Sequence, residues 1–214
     1  MARTPSSRML PAERQAQLLA AARRVLETKP IDEVSVETVA AEAEVSPGLL
    51  FHYFGSQRKF RQAVLEMAAG ELLDHIRPDP LLSPAEQLHS GIETFVDYVS
   101  RFPSIYRAVI RLNHGSPTLH ASVRATLAGW ITTTVEEAGA ELTPALRLTV
   151  AGWLAYMEEA VLGWLAGAHL RREELTEMCE QSFYLLARGM VADEQRWAQI
   201  EEKLRRQPAQ DAGA

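Results

Sequence analysis

The chain has 214 residues, a length typical of one large or two small domains. Hydrophobic residues make up 47% and charged residues 23%, which excludes a fully disordered chain. The net charge of −6 argues against a protein that coats nucleic acid along its whole length. Residues 1–65 nevertheless hold nine basic and seven acidic side chains, whereas residues 66–214 hold 13 and 21. Any contact with DNA is therefore expected in the first third of the chain.

The single cysteine, Cys179, excludes an internal disulfide bond and a cysteine-rich zinc site, and it favours a reducing compartment. Residues 1–10 lack the apolar core of a signal peptide. The most apolar stretch, residues 148–170, carries Glu158 and Glu159 at its centre, and ionised side chains are costly inside a bilayer. The sequence predicts a cytoplasmic protein that does not enter a membrane.

Apolar residues recur with the 3.6-residue period of an α-helix, and no alternation typical of a strand is present. A capping residue followed by proline marks several helix starts, as at Ser46-Pro47, Ser83-Pro84 and Thr143-Pro144. The predicted fold class is all-α, with a flexible arm at residues 1–11 and a disordered tail at residues 207–214. The predicted helices cover residues 12–28, 36–43, 47–54, 57–77, 84–101, 104–113, 117–138, 144–167, 171–190 and 193–206.

The first three predicted helices have the lengths of a helix-turn-helix unit. Two short helices flank the tight break Ala43-Glu44-Val45, and neither is stable alone, so both need the helix at residues 12–28 to pack on. The third helix begins with Pro47 and Gly48, which are small enough to let the backbone approach a phosphate or a base edge. This pattern favours a DNA-binding helix at residues 47–54.

A longer motif extends through the same segment and includes an aromatic-x-aromatic-Phe run. It reads Leu19-x-x-Ala22, then Val36-x-x-Val39-Ala40-x-x-Ala43-x-Val45-Ser46-Pro47-Gly48-x-Leu50-Phe51-x-Tyr53-Phe54-x-Ser56. This motif resembles the DNA-binding segment of the TetR family of bacterial transcriptional regulators. The resemblance implies a helix-turn-helix domain at residues 12–56, a connecting helix at residues 57–77, and a helical domain at residues 78–206 that binds an effector and dimerises.

The resemblance also implies double-stranded operator DNA as a partner. Phe51 and Tyr53 match positions near the phosphates, and Ser35 caps the second helix where it could bond a phosphate. The sequence departs from the family at Glu44, where a glycine is usual, and at Gln57, where a lysine normally touches phosphate. The complete set of predicted DNA contacts is Ser35, Ser46, Pro47, Gly48, Leu49, Phe51, His52, Tyr53, Gln57, Arg58 and Lys59.

For residues 78–206 the resemblance implies an unidentified small-molecule effector. The sequence adds aromatic and polar residues in the middle helices that suit an apolar ligand site, although each aromatic residue fits a plain core as well. The candidate effector contacts are Phe95, Tyr98, Phe102, Tyr106, His114, Trp130, Thr134, Trp153, Met157 and Glu158. The helices within residues 144–190 carry more apolar surface than one domain needs, which predicts a homodimer through that region.

Together with these patterns, the resemblance implies a ligand-responsive DNA-binding regulator, a repressor released from its operator by a small molecule, with no cofactor or metal. The alternative is a helical ligand- or protein-binding module of the same fold without operator binding. An enzyme is a weaker alternative. Its best feature is Glu86-x-x-His89, the spacing of a di-iron helix bundle, but such a site needs that motif twice and the chain has it once.

Overall fold

The computed structural model describes residues 10–111, 117–191 and 193–206. The candidate effector residue His114, the predicted tail at residues 207–214, and residues 1–9 of the predicted arm lie outside these ranges. The described residues contain no β-strand, so the prediction of an all-α fold is confirmed. The helices are α1 (Pro11–Thr28), α2 (Val36–Glu42), α3 (Pro47–Phe54), α4 (Gln57–His75), α5 (Pro84–Arg101), α6 (Pro103–Arg111), α7 (Pro117–Glu137), α8 (Pro144–Leu165), α9 (Arg172–Arg188) and α10 (Glu194–Arg205).

Local capping sets where these helices begin, and each begins within one residue of its predicted start. At α5 the Ser83 hydroxyl accepts the Glu86 N–H at 3.3 Å, and the Ser83 N–H donates to the Glu86 carboxylate at 2.8 Å. At α8 the Thr143 hydroxyl accepts the Leu146 N–H at 3.1 Å. Such caps satisfy amide groups that have no partner within the helix, and proline follows because its missing N–H costs nothing there.

The first of two compact units comprises, among the described residues, 10–70 and 104–111. Here α1 packs on α2, and α2 packs on α3. Leu18, Val39 and Leu50 are fully buried at these contacts. Two helices of seven and eight residues are stable only through such packing, because short helices are marginal in water.

Helix α6 belongs to this first unit by its contacts, although its position in the chain suggested the second domain. A short 3₁₀ turn, Ile31–Glu33, follows α1, and the Ile31 N–H donates to the Ser104 hydroxyl at 3.2 Å. Ile105, Tyr106 and Ala108 of α6 are buried. This packing connects residues far apart in sequence, so helix-boundary signals alone do not reveal it.

The second unit comprises residues 71–103 and the described residues from 117 to 206. In it, α5 packs on α9 and α10, while α8 packs on α7 and α9. Trp153 of α8 is buried, and its N–H donates to the Cys179 carbonyl at 3.0 Å and to the Ser182 hydroxyl at 3.1 Å. Burial raises the pKa of the Cys179 thiol to about 11, so this cysteine stays a neutral core residue at physiological pH.

Over the described parts of the chain, no helix combines the length and the apolar character needed to cross a bilayer.

The turn between α2 and α3 places Glu44 in left-handed backbone, with φ of 53°. Side chains other than glycine lose roughly 1–2 kcal/mol in this conformation, because the Cβ atom crowds the following carbonyl oxygen. At the position of Glu44, the TetR family that this sequence resembles usually has glycine. The sequence therefore tolerates a strained residue within its helix-turn-helix unit.

We expect Glu44→Gly to stabilise the chain by about 0.5–1 kcal/mol, because relief of the left-handed strain exceeds the entropy that glycine loses on folding. Urea unfolding of the full chain measures this change. Ala43→Gly is the matched control, since Ala43 has φ of −86° and glycine there should destabilise. A Glu44→Gly variant less stable than the parent would contradict the interpretation.

Candidate nucleic-acid interface

Helix α3 presents one buried side and one exposed side. Leu50 and Phe54 face the core, and Phe54 meets the ring of Phe60 with centroids 5.1 Å apart. Gly55, with φ of 76°, ends the helix in a conformation that favours glycine. The exposed side, which we call the reading face, consists of Pro47, Gly48, Phe51 and His52.

Most of the other predicted contacts at α2 and α3 are only partly exposed to solvent. Ser35 is half-buried and caps α2, since its hydroxyl accepts the Thr38 N–H at 3.1 Å. Ser46 is exposed at the start of α3 and makes no side-chain cap bond. Leu49 and Tyr53 are half-buried, and the Tyr53 ring lies edge-on to His52 with centroids 5.3 Å apart.

Gln57 has a structural partner. Its side-chain oxygen accepts the N–H of Val36 at 3.0 Å, and its amide nitrogen donates to the carbonyl of Val34 at 3.5 Å. The first residue of α4 therefore satisfies the first amide of α2. A phosphate contact through Gln57 remains a prediction, and the structure gives this side chain a second role that its sequence position did not indicate.

Arg58 and Lys59 are exposed in the first turn of α4, and neither forms an ion pair within the described residues. Only Gly55 and Ser56 separate α3 from α4, so these cations follow directly on the end of the reading helix. Positive charge at this place suits the phosphates that flank a DNA groove. The geometry brings together a mainly apolar reading face and a cationic helix start.

The candidate effector residues do not form a single cluster. Trp130 and Thr134 line an open cavity of about 570 Å³ in the second unit. Tyr106 is buried in the first unit, whereas Trp153 and Met157 are buried in the second-unit core. Phe95, Tyr98 and Phe102 are half-buried, and the rings of the last two lie 5.2 Å apart between centroids.

Glu158 is engaged by α7. Its carboxylate lies 2.8 Å from His120 Nε2 and 3.4 Å from Arg124 Nη1. Arg124 also donates to the carbonyl of Ala151. Sequence analysis proposed Glu158 as an effector contact and identified neither His120 nor Arg124 as its partner.

The cavity at Trp130 is formed by the loop before α5, the end of α7 and the end of α10. Sequence analysis missed most of its lining, because these residues meet only through tertiary packing and show no local pattern. The lining consists of Pro78, Pro80, Leu82, Pro84, Gln87, Trp130, Thr133, Thr134, Glu137, Ala138, Lys203 and Arg206.

The two residues of the suggested di-iron motif have structural partners. Glu86 completes the cap of α5, and His89 Nδ1 lies 2.8 Å from the carboxylate of Glu180 on α9. Glu86 therefore has a role in helix capping, and His89 has a role in the packing of α5 on α9.

Helices α8 and α9 expose large apolar side chains on the surface of the second unit. Leu185 is 72% exposed and Leu148 is 74% exposed. We call these and their neighbours the α8–α9 face; its exposed large members are Leu148, Tyr156, Met178, Leu185, Leu186 and Met190. Apolar surface of this kind marks interaction sites in soluble proteins.

Comparisons with known proteins point to one family. Residues 18–64 match the family of bacterial regulatory proteins called the tetR family. The HTH-type transcriptional regulator EthR of Mycolicibacterium smegmatis is 28% identical over 125 residues, which span 57% of this chain and 58% of that regulator's length.

Solved structures extend the similarity over nearly the whole chain. A tetR-family transcriptional regulator from Streptomyces coelicolor has a TM-score of 0.77 and 27% identity, covering 94% of this chain and 92% of its own. Thermus thermophilus FadR, a TetR-family repressor solved in complex with lauroyl-CoA, has a TM-score of 0.60 and 19% identity, covering 84% of this chain and 96% of its own. At this identity the similarity shows only that the two proteins share a fold.

The contact between Gln57 and Val36 leads to a stability prediction. We expect Gln57→Leu to lower the free energy of unfolding by about 1 kcal/mol, because the partly buried Val36 N–H loses its acceptor. Gln57→Glu keeps the oxygen that accepts the Val36 N–H but lacks the amide donor to the Val34 carbonyl, so its stability should lie between those of the parent and the Leu variant. Urea unfolding of the three proteins separates these cases, and equal stability of the Leu and Glu variants would disprove the contact's role.

Proposed function

We propose that this chain, whose residues 18–64 match the tetR family, is a homodimeric repressor that leaves its operator when a small molecule binds. The observation that supports operator binding is the reading face on α3, followed at once by Arg58 and Lys59. A recognition helix in the major groove reads base edges, while cations at its end contact the backbone phosphates.

The α8–α9 face supports self-association. Its exposed leucines lie on helices that the Trp153 hydrogen bonds tie together, so the surface is formed before any partner arrives. Two copies of a helix pair make an intersubunit four-helix bundle, and a two-fold axis lets the same face serve both copies. A dimer also places two reading helices on two half-sites of one operator.

The cavity at Trp130 and Thr134 is the proposed effector site. Its lining combines Trp130, Leu82 and three prolines with the polar residues Gln87, Thr133, Thr134 and Glu137 and the cations Lys203 and Arg206. A largely apolar hollow with few polar groups is the usual form of a small-molecule site. The acyl-CoA complex of Thermus thermophilus FadR supports ligand binding by this fold.

Release of the operator by an effector requires that the effector bind the free regulator more tightly than the DNA-bound one. The coupling is reciprocal, so operator DNA must weaken effector binding by the same factor. Calorimetric titration of an effector into the regulator, with and without operator, measures this factor. Equal affinities in the two titrations would refute the coupled switch and leave a DNA binder.

Operator binding predicts a salt dependence that Arg58 helps to set. Binding of the full chain to DNA upstream of its own gene should weaken steeply with salt and retain a sequence-specific component. We expect Arg58→Ala to reduce the slope of log affinity against log salt by about 0.9 per protomer, because one phosphate contact is lost. Arg171→Ala, an exposed arginine at the start of α9, is the control and should leave the slope unchanged.

Two results would contradict the proposal. Binding that is insensitive to salt and sequence favours a helical binding module without an operator. An unchanged slope for Arg58→Ala would show that α4 does not contact the phosphates.

The α8–α9 face predicts that Leu185→Glu prevents dimerisation, since a carboxylate buried between two apolar surfaces lacks a partner. Sedimentation at micromolar concentration should show a monomer, and operator affinity should fall with the loss of the second half-site. Leu81→Glu is the matched control, because Leu81 is 77% exposed in the loop before α5 and outside this face. A Leu185→Glu protein that remains a dimer would place the subunit interface elsewhere.

A further inference from the structure

The reading face of α3 is formed mainly by apolar groups. Pro47 and Phe51 are four residues apart, as are Gly48 and His52, so all four lie on one side of the helix. Phe51 is 42% exposed although Leu50 and Phe54 beside it are buried. This helix therefore directs an aromatic ring into solvent from an otherwise well-packed unit.

Helix α3 lacks the side chains that usually identify bases by paired hydrogen bonds. Arginine or lysine reads guanine, asparagine or glutamine reads adenine, and acidic residues accept from cytosine. None of these types occurs among the eight residues of α3 or at its cap, Ser46. His52 is the one member of the reading face with ring nitrogens that can bond a base edge.

The major groove offers one apolar feature that distinguishes a base, the 5-methyl group of thymine. The family resemblance suggests that Phe51 lies near the DNA phosphates. Phe51 has no group that can bond a phosphate, so such a contact would make no use of its exposed ring. We propose that the reading helix selects its half-site through thymine methyl groups, with Phe51 and the adjacent Pro47 as the apolar contact. This inference rests on the proposed operator binding through α3.

Affinity and base selection then reside on different helices. The exposed cations of the interface, Arg58 and Lys59, lie on α4 and contribute to binding of any sequence. Loss of one of these charges weakens binding uniformly. Loss of the Phe51 ring removes a preference and leaves the phosphate contacts in place.

The test compares thymine with uracil, which differ only by the methyl group and keep the same hydrogen bonds. Duplexes are first enriched from a random pool with the full chain, and each thymine of the preferred half-site is then replaced by deoxyuridine. We expect one or more positions at which the replacement weakens binding about fourfold, the loss that corresponds to one buried methyl group.

Three variants assign this preference to Phe51. Phe51→Ala should bind thymine and uracil duplexes almost equally, whereas Phe51→Leu should retain part of the preference through its own methyl groups. Arg58→Ala is the matched control and should weaken binding to both duplexes by the same factor. Thermal unfolding monitored by circular dichroism confirms that each variant is folded before its affinities are compared.

The outcomes distinguish this inference from the proposed function. An enriched duplex that tolerates uracil at every position overturns methyl reading and leaves operator binding intact. A Phe51→Ala protein with the parent's thymine preference assigns the methyl contact to another residue and also overturns it. Failure to enrich any sequence overturns both the inference and the proposed operator binding.

Discussion

The structure depends on the packing of two helices that are too short to be stable alone. Formation of a helical turn fixes several dihedral angles for one hydrogen bond, so α2 and α3 exist only because Val39 and Leu50 are fully buried. Arg24 of α1 also bonds Glu42 of α2 at 2.6 Å, and Gln57 of α4 bonds the first amide of α2. The orientation of the reading face is thus set by the core and by these two side-chain contacts.

The second unit uses the opposite arrangement of apolar groups. Trp153 and Phe183 pack inside it with centroids 5.1 Å apart, while Leu148 and Leu185 remain outside on the same two helices. This pair of helices therefore stabilises the second unit through its buried side chains and exposes apolar area through the others. The Trp153 N–H bonds to α9 let this area form without a partner, which reduces the entropy that association must overcome.

Local signals explain what the sequence could predict. Ser83 and Thr143 cap their helices through contacts three residues away, so helix starts followed from short patterns. The sequence did not predict that Phe51 is 42% exposed, because its apolar ring fits a core position equally well. The family resemblance, carried by residues 19–56, was confirmed by the comparisons. The partners of Gln57 and Glu158, the lining of the cavity and the packing of α6 could not be predicted, because each joins residues far apart in the chain.

The bond between the Ile31 amide and the Ser104 hydroxyl has a consequence for dynamics. In sequence, α6 lies between α5 and α7 of the second unit, yet its first residues bond the 3₁₀ turn that follows α1. The Ile31 amide donates to the Ser104 hydroxyl, so this bond must open before the amide can exchange its proton with water. Deuterium uptake at this single amide therefore reports how often the start of α6 detaches from the 3₁₀ turn. Hydrogen exchange detects such opening on timescales that a static structure does not record.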